Sequence, residues 1–481
     1  MLAHVRPAIN TCVRLAGKFL NLFITVYTLA PFEDQGVKYL ATYPEPVAER
    51  VRVAASAPVT PILGLMDVLT NMDRCFGPWI ARQLARPDVE INGLPVDPPS
   101  YIIEDHFNGG VSLINKQYHN LPAASWWAAG AASFLEHFGN AEHGGGWRII
   151  GAISAALTNQ EVDIENSVDE ILSQELTRRV VRIPGLPPHY EHEQTPQKST
   201  SVLAVFVRMY KRWETLSEQT TMVIFSSVYE IESAIAEACH SALTKPLTPF
   251  FIGFSADLPR TVPQIDHSSS DPVISFMNRA YSDLGPHSVV YIGFGTIWFP
   301  SSGFHLKILI EEILEQGLRL VFSVKGDNLG AIGMDEGFIN MITKNNQAIF
   351  PEWTNQLEVL EHPAMHYFLS HGGWNSTTEA ILREVPLIFW PILGDQPTNA
   401  MQFARQLDCG FELLQVRTGV AQSVAYSPNG DVTISGSEES VRDEIRRVLM
   451  MSKGSRGAQQ RSNMRSFEVR RSDRIVKKIL A

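Results

Sequence analysis

Along most of this chain, short β-branched or aromatic runs alternate with longer stretches of helical periodicity. That alternation constrains the fold more than any other feature, because it marks parallel strands covered on both faces by helices. In the first half it predicts strands near 22–28, 101–104, 123–127, 222–226 and 250–254, with helical periodicity at 7–16, 111–118 and 231–243. The pattern restarts more cleanly at 289–294, 318–324, 348–350, 367–370, 387–390 and 410–414, a second α/β unit. A length of 481 residues suits two or three domains at roughly 100–200 residues each.

Between the halves, 255–271 holds proline, serine and aspartate with no hydrophobic period, as a linker does. The predicted organisation is an N-terminal domain over 1–254, a linker over 255–272, a C-terminal domain over 273–455 and a last helix over 456–481. The Pro/Gly-rich stretches 142–146 and 184–188 are expected as long surface loops.

Charge and cysteine content narrow the function. Forty basic against 51 acidic side chains leave a net charge of -11, which removes any general attraction to nucleic acid or anionic lipid. Cys12, Cys75, Cys239 and Cys409 form no CxxC pair, as expected of reduced thiols in the cytoplasm. The most apolar early stretch, 19–30, is far too short to span a bilayer. No transmembrane segment is expected.

The segment from Trp353 to Ala400 carries the chemistry. A strand ends at Ser370, His371-Gly372-Gly373 turns the chain, and a helix starts near Trp374-Asn375-Ser376. Backbone N–H groups at such a helix start make an anion site suited to phosphate, with His371 as a further donor. Trp353 offers a flat face for a base, and Asp395-Gln396 offers acceptors and donors for sugar hydroxyls.

These residues resemble the signature box of plant-type (family 1) UDP-glycosyltransferases, a 44-residue block from tryptophan to glutamine, and Trp353 to Gln396 is 44 residues. The resemblance implies a GT-B fold: two Rossmann-like parallel-sheet domains facing across a cleft. It implies that Trp353 stacks on uracil, the Thr354 main chain reads the uracil edge, and Gln356 and Glu379 bind the ribose. His371, Gly373, Trp374, Asn375 and Ser376 would cradle the diphosphate, and Asp395 and Gln396 would hold the sugar. Gly295 and Thr296, after a buried strand, resemble the family's phosphate-facing loop. Asn355 stands where the family usually has proline. Gln396 favours glucose, since the family tends to have histidine there for galactose.

An alcohol is a poor nucleophile until its proton begins to leave, so transfer needs a base beside the acceptor. Ala3-His4-Val5-Arg6-Pro7, placed ahead of a helix, resembles the family segment whose histidine is that base, and Asp105 at a strand end resembles its orienting aspartate. Glu104 and His106 flank Asp105 as alternatives. The implied activity is inverting hexosyl transfer from UDP-sugar to a hydroxyl of a small lipophilic acceptor, by a cytoplasmic monomer. No cofactor is expected, and with no Asp-x-Asp in the chain no metal. The rival readings are a nucleotide-sugar binding protein without turnover and a nucleotide-sugar epimerase.

The chain departs from the family at its start, where a hydrophobic strand normally precedes the histidine segment; a truncated member with unpaired strand edges is the expectation. Trp126-Trp127-Ala128 lacks the hydroxyl residue that the family often uses at the sugar 6-position, leaving Ser125 as a substitute.

Overall fold

A computed structural model describes residues 2–86, 89–157, 171, 178–198, 200–243, 245–257, 270–295, 298–331, 333 and 336–466. The chain divides into two compact units. One contains residues up to 134 together with 204–257; the other contains 135–203 and the chain from 258 to 472.

The first unit begins with α1 (Leu2–Lys18), β1 (Ile24–Leu29) and β2 (Val51–Ser56), which pair in parallel. Ile9, Val13 and Ala16 of α1 pack with Val26 and Val51, so one helical stripe covers one face of the strand pair. α1 includes His4 and runs through Pro7, so the helix expected to follow the histidine instead contains it. Pro7 removes one main-chain bond near the helix start. α2 (Leu65–Leu84) then packs Phe76, Trp79 and Ile80 with Tyr27, Ala54 and Ile102. β3 (Ile102–Asp105), β4 (Ala123–Trp127), β5 (Met222–Phe225) and β6 (Thr248–Phe251) make a separate parallel sheet in the order β6-β5-β4-β3. β1 and β3 therefore each have one edge with no strand beside it among the described residues. β2 was not expected from the sequence, although Val51, Val53 and Ala55 alternate as a strand does.

The second unit holds a six-stranded parallel sheet. Its strands are β7 (Val289–Gly293), β8 (Arg319–Ser323), β9 (Ala348–Ile349), β10 (Met365–Ser370), β11 (Leu387–Phe389) and β12 (Gly410–Glu412). Their order is β9-β8-β7-β10-β11-β12, in which the winding reverses between β7 and β10. β7 and β10 are buried along their whole length, and their ends are in register, Gly293 opposite Ser370. A crevice at the carboxyl ends of two such strands is where open α/β sheets take ligands. Three helices line that end: α3 (Gln356–Glu361), α4 (Trp374–Leu382) and α5 (Gln396–Ala400).

Residues 135–203 belong to this second unit because buried charges tie them there. Glu193 is fully buried and meets Arg417 at 3.0 Å and Arg405 at 3.5 Å, while Arg417 also meets Glu412 at 2.8 Å. Of the two expected surface loops, 184–188 is the tip of a hairpin between Val180–Val181 and His189–Tyr190. In the other, Gly144 and Gly145 are buried, with Arg179 bonded to the Gly144 carbonyl at 2.7 Å. Of the expected linker, 258–269 lies outside the described residues; of the expected last helix, Ser455–Arg465 is helical and 467–481 lies outside them.

Candidate active site

In the second unit the geometry is set by the β7 and β10 ends. Gly295 has φ +73°, and a Cβ there would stand 3.1 Å from the His371 ring. A Cβ on Gly373 would stand 2.5 Å from His371 Nε2. Both glycines thus leave room for the imidazole that links the two strand ends. Burial pushes His371 down to about 4, with a bond to the Gly293 carbonyl opposing it, so the ring is neutral at pH 7. It can donate a hydrogen bond toward an anion but carries no charge. Thr296 lies outside the described residues.

α4 starts at the turn with Gly373 as its N-cap, without a side-chain cap. Asn375 and Ser376 are half-buried at this tip. The Trp374 indole is buried against Phe403, so that residue faces the tip through its main chain; its N–H donates to Asp395 Oδ2 at 3.2 Å. Asn399 donates to the same oxygen and to the Gly372 carbonyl, both at 2.8 Å. Gln396 is buried, and its Oε1 accepts from the Ile392 and Leu393 N–H groups at 2.9 and 3.3 Å.

Just ahead of α3, Trp353 is 77% exposed, an open aromatic face, while Thr354 is buried. Gln356 Nε2 donates to Glu379 Oε2 at 2.7 Å, and Ser376 lies 3.4 Å from the same amide. Beneath them the Tyr291 hydroxyl donates to Gln356 Oε1 at 3.3 Å. Burial and the Glu379 charge both push the Tyr291 phenol up, so it stays a donor. Sequence reasoning gave Tyr291 no role; the signal was a polar aromatic inside the otherwise aliphatic run Val289-Val290-Tyr291-Ile292. The residues predicted for base, ribose, diphosphate and sugar thus lie on connected turns of one unit.

In the first unit, His4 Nδ1 lies 2.7 Å from Asp105 Oδ2. Asp105 ends β3 and caps the short helix His106–Asn108, its Oδ1 accepting from Phe107 N at 3.0 Å. Burial would raise its carboxyl, but the charge and hydrogen bond of His4, the Phe107 N–H and His106 together hold it below the usual carboxylate range. Arg212, paired with Asp73, donates to the Asn108 carbonyl at 2.7 Å and supports that turn. His106 turns inward to Ser125 Oγ at 2.6 Å, and Glu104 is buried. Of the three neighbours, Asp105 is the one beside His4. Ser125 is buried under His106.

Two parallel-sheet α/β units, the second reversing its strand order between β7 and β10, are the make-up of the GT-B class of fold. Residues 209–418 match the family model "UDP-glucoronosyl and UDP-glucosyl transferase". The match is to this span, and plant UDP-glycosyltransferases, such as UDP-glycosyltransferase 84A3 of Arabidopsis thaliana at 29% identity over 245 residues, are among the proteins this chain is similar to. A UDP-glycosyltransferase of Hericium erinaceus is 26% identical over 292 residues, covering 60% of this chain and 56% of that one. A putative UDP-glucose glucosyltransferase of Fragaria ananassa is 28% identical over 211 residues, covering 43% and 42%. The chain spans about half the length of the curated relatives it matches. Among solved structures, a UGT transferase from Siraitia grosvenorii in complex with UDP superposes with a TM-score of 0.67 at 18% identity, over 97% of this chain and 92% of that one. UGT71G1 of Medicago truncatula, complexed with UDP-glucose, gives 0.65 at 18%, over 98% and 92%. At such identities the superpositions show the fold.

Proposed function

We propose that this protein is an inverting UDP-glycosyltransferase that moves a hexose, glucose by preference, from UDP-sugar to a hydroxyl of a small lipophilic acceptor. The observation that carries the reading is the convergence of Trp353, the Gln356–Glu379 pair, the α4 tip and Asp395–Gln396 around the β7 and β10 ends. That order matches base, ribose, diphosphate and sugar. The α4 N-terminus stabilises the negative charge that UDP gains on leaving, and neutral His371 assists as a donor.

His4 is the base in this reading. A carboxylate at Nδ1 keeps the proton on that nitrogen, makes Nε2 the basic atom and stabilises the imidazolium formed as the acceptor attacks. Attack from the face opposite the diphosphate converts an α-linked donor to a β-glycoside. The residues need no metal for this chemistry. In this reading the protein works in the cytoplasm and as a monomer; its four cysteines are unpaired, as a reducing compartment would keep them.

Incubation with UDP-glucose, UDP-galactose and UDP-glucuronate against a mixed library of phenols and alcohols tests this, with glycoside formation read by mass spectrometry. UDP-glucose is expected to give products. UDP binding with no transfer supports a binding protein, and an epimerised UDP-sugar formed without acceptor supports an epimerase. His4→Ala is expected to reduce transfer by on the order of 100-fold while keeping UDP affinity; full activity would remove the histidine from the mechanism.

A further inference from the structure

Asn399 is almost fully buried, yet its amide nitrogen touches the two parts of the site that meet different halves of the donor. One contact is the Gly372 carbonyl, in the turn that opens α4; the other is Asp395 Oδ2; both are 2.8 Å. Both partners are acceptors, so only a group with two protons on one atom can bridge them. The turn has a second tie, the Gly372 N–H donating to Ser370 Oγ at 3.2 Å, and at φ +84° it takes only glycine, since a Cβ there would stand 2.9 Å from Phe389. Asp395 also accepts from the Trp374 N–H, so its carboxylate is fixed against the helix tip on one oxygen.

We infer that Asn399 is a positioning residue: it anchors Asp395 to the diphosphate turn, and so sets the share of donor affinity that comes from the sugar rather than from UDP. This rests on the reading of the site as a nucleotide-sugar site. Without the amide, Asp395 loses the shorter of its two described ties to the turn and is held less firmly there, whereas the turn keeps the bond from the Gly372 N–H to Ser370 at the β10 end. The sharp variant is Asn399→Asp, which preserves the shape but sets a carboxylate against a carboxylate and a carbonyl.

The test is calorimetric titration of the full chain with UDP and with UDP-glucose, for wild type, Asn399→Asp, Asp395→Ala and the double variant. Asn399→Asp is expected to weaken UDP-glucose about tenfold more than it weakens UDP. In the Asp395→Ala background it is expected to change the ratio no further, the mark of two residues acting as one. Equal weakening of both ligands, or full additivity with Asp395→Ala, overturns the inference and leaves the nucleotide-sugar reading standing. A wild-type chain that binds neither ligand overturns both. Asn399→Ser, which keeps a single donor, is expected to give an intermediate ratio. If neither Asn399 variant folds cooperatively, the residue is structural and the inference fails.

Discussion

At the scale of single residues, the site depends on groups whose charge state is fixed by burial. His371 was expected from the sequence as a donor to an anion, and a histidine in that place invites the idea of a positive charge on the diphosphate. Its burial beside Gly295 and Gly373 instead keeps it neutral, with its titration near 4, against the opposing bond to the Gly293 carbonyl. Affinity for UDP-glucose, measured by calorimetry, is therefore expected to show no His371 step between pH 6 and 8. A loss of affinity as pH rises through that window, absent in His371→Gln, would show a charged ring. The identities at 353, 356, 371, 379, 395 and 396 were legible because their spacing is fixed by local turns. Their protonation and hydrogen-bond partners were not, since those depend on strands distant in sequence.

At the scale of elements, the turn between β10 and α4 is held by what its glycines leave out. Gly373 has an ordinary extended backbone, so alanine there is not conformationally strained; its methyl would meet His371 Nε2 at 2.5 Å. The ring would have to leave the Gly293–Gly295 side of the crevice. Gly373→Ala is expected to weaken UDP-glucose binding by about tenfold or more and to lower stability by about 1–3 kcal/mol, read by titration and urea denaturation. Unchanged affinity would mean the imidazole can move at no cost. The sequence located most strand cores in both halves, because β-branched runs in parallel sheets are near-continuous. It missed β2, whose Arg52 and half-buried alanines dilute the run, and it placed His4 before a helix that contains it. Proline reads as a helix start, yet a helix tolerates one when packing holds the segment on both sides.

At the scale of the whole molecule, the second unit's composition from two distant stretches rests on charges with no local signature. Burial alone would raise Glu193, but Arg417, Arg405 and the N–H groups of Tyr426 and Tyr190 hold it down to about 2, against 4.5 ordinarily. A depressed folded-state value means that this stabilisation is complete above about pH 4.5. It is lost as pH falls toward about 2. The wild-type advantage over Glu193→Gln is expected to be about 3 kcal/mol near neutrality and to shrink steadily on acidification, followed by calorimetry of the second unit's transition. A difference independent of pH would show that the cluster contributes packing rather than charge.

The sequence by itself determined the α/β class and the parallel-strand runs, because each is encoded by period within a few tens of residues, and the residues proposed for the donor site were named from a resemblance carried by their spacing. Tertiary structure alone decided that residues 135–203 join the second unit, that Asp105 rather than its neighbours meets His4, and that Asn399 bridges turn and carboxylate. Those outcomes depend on which buried polar groups find partners across long separations, and a polar residue's own identity does not say where its partner lies.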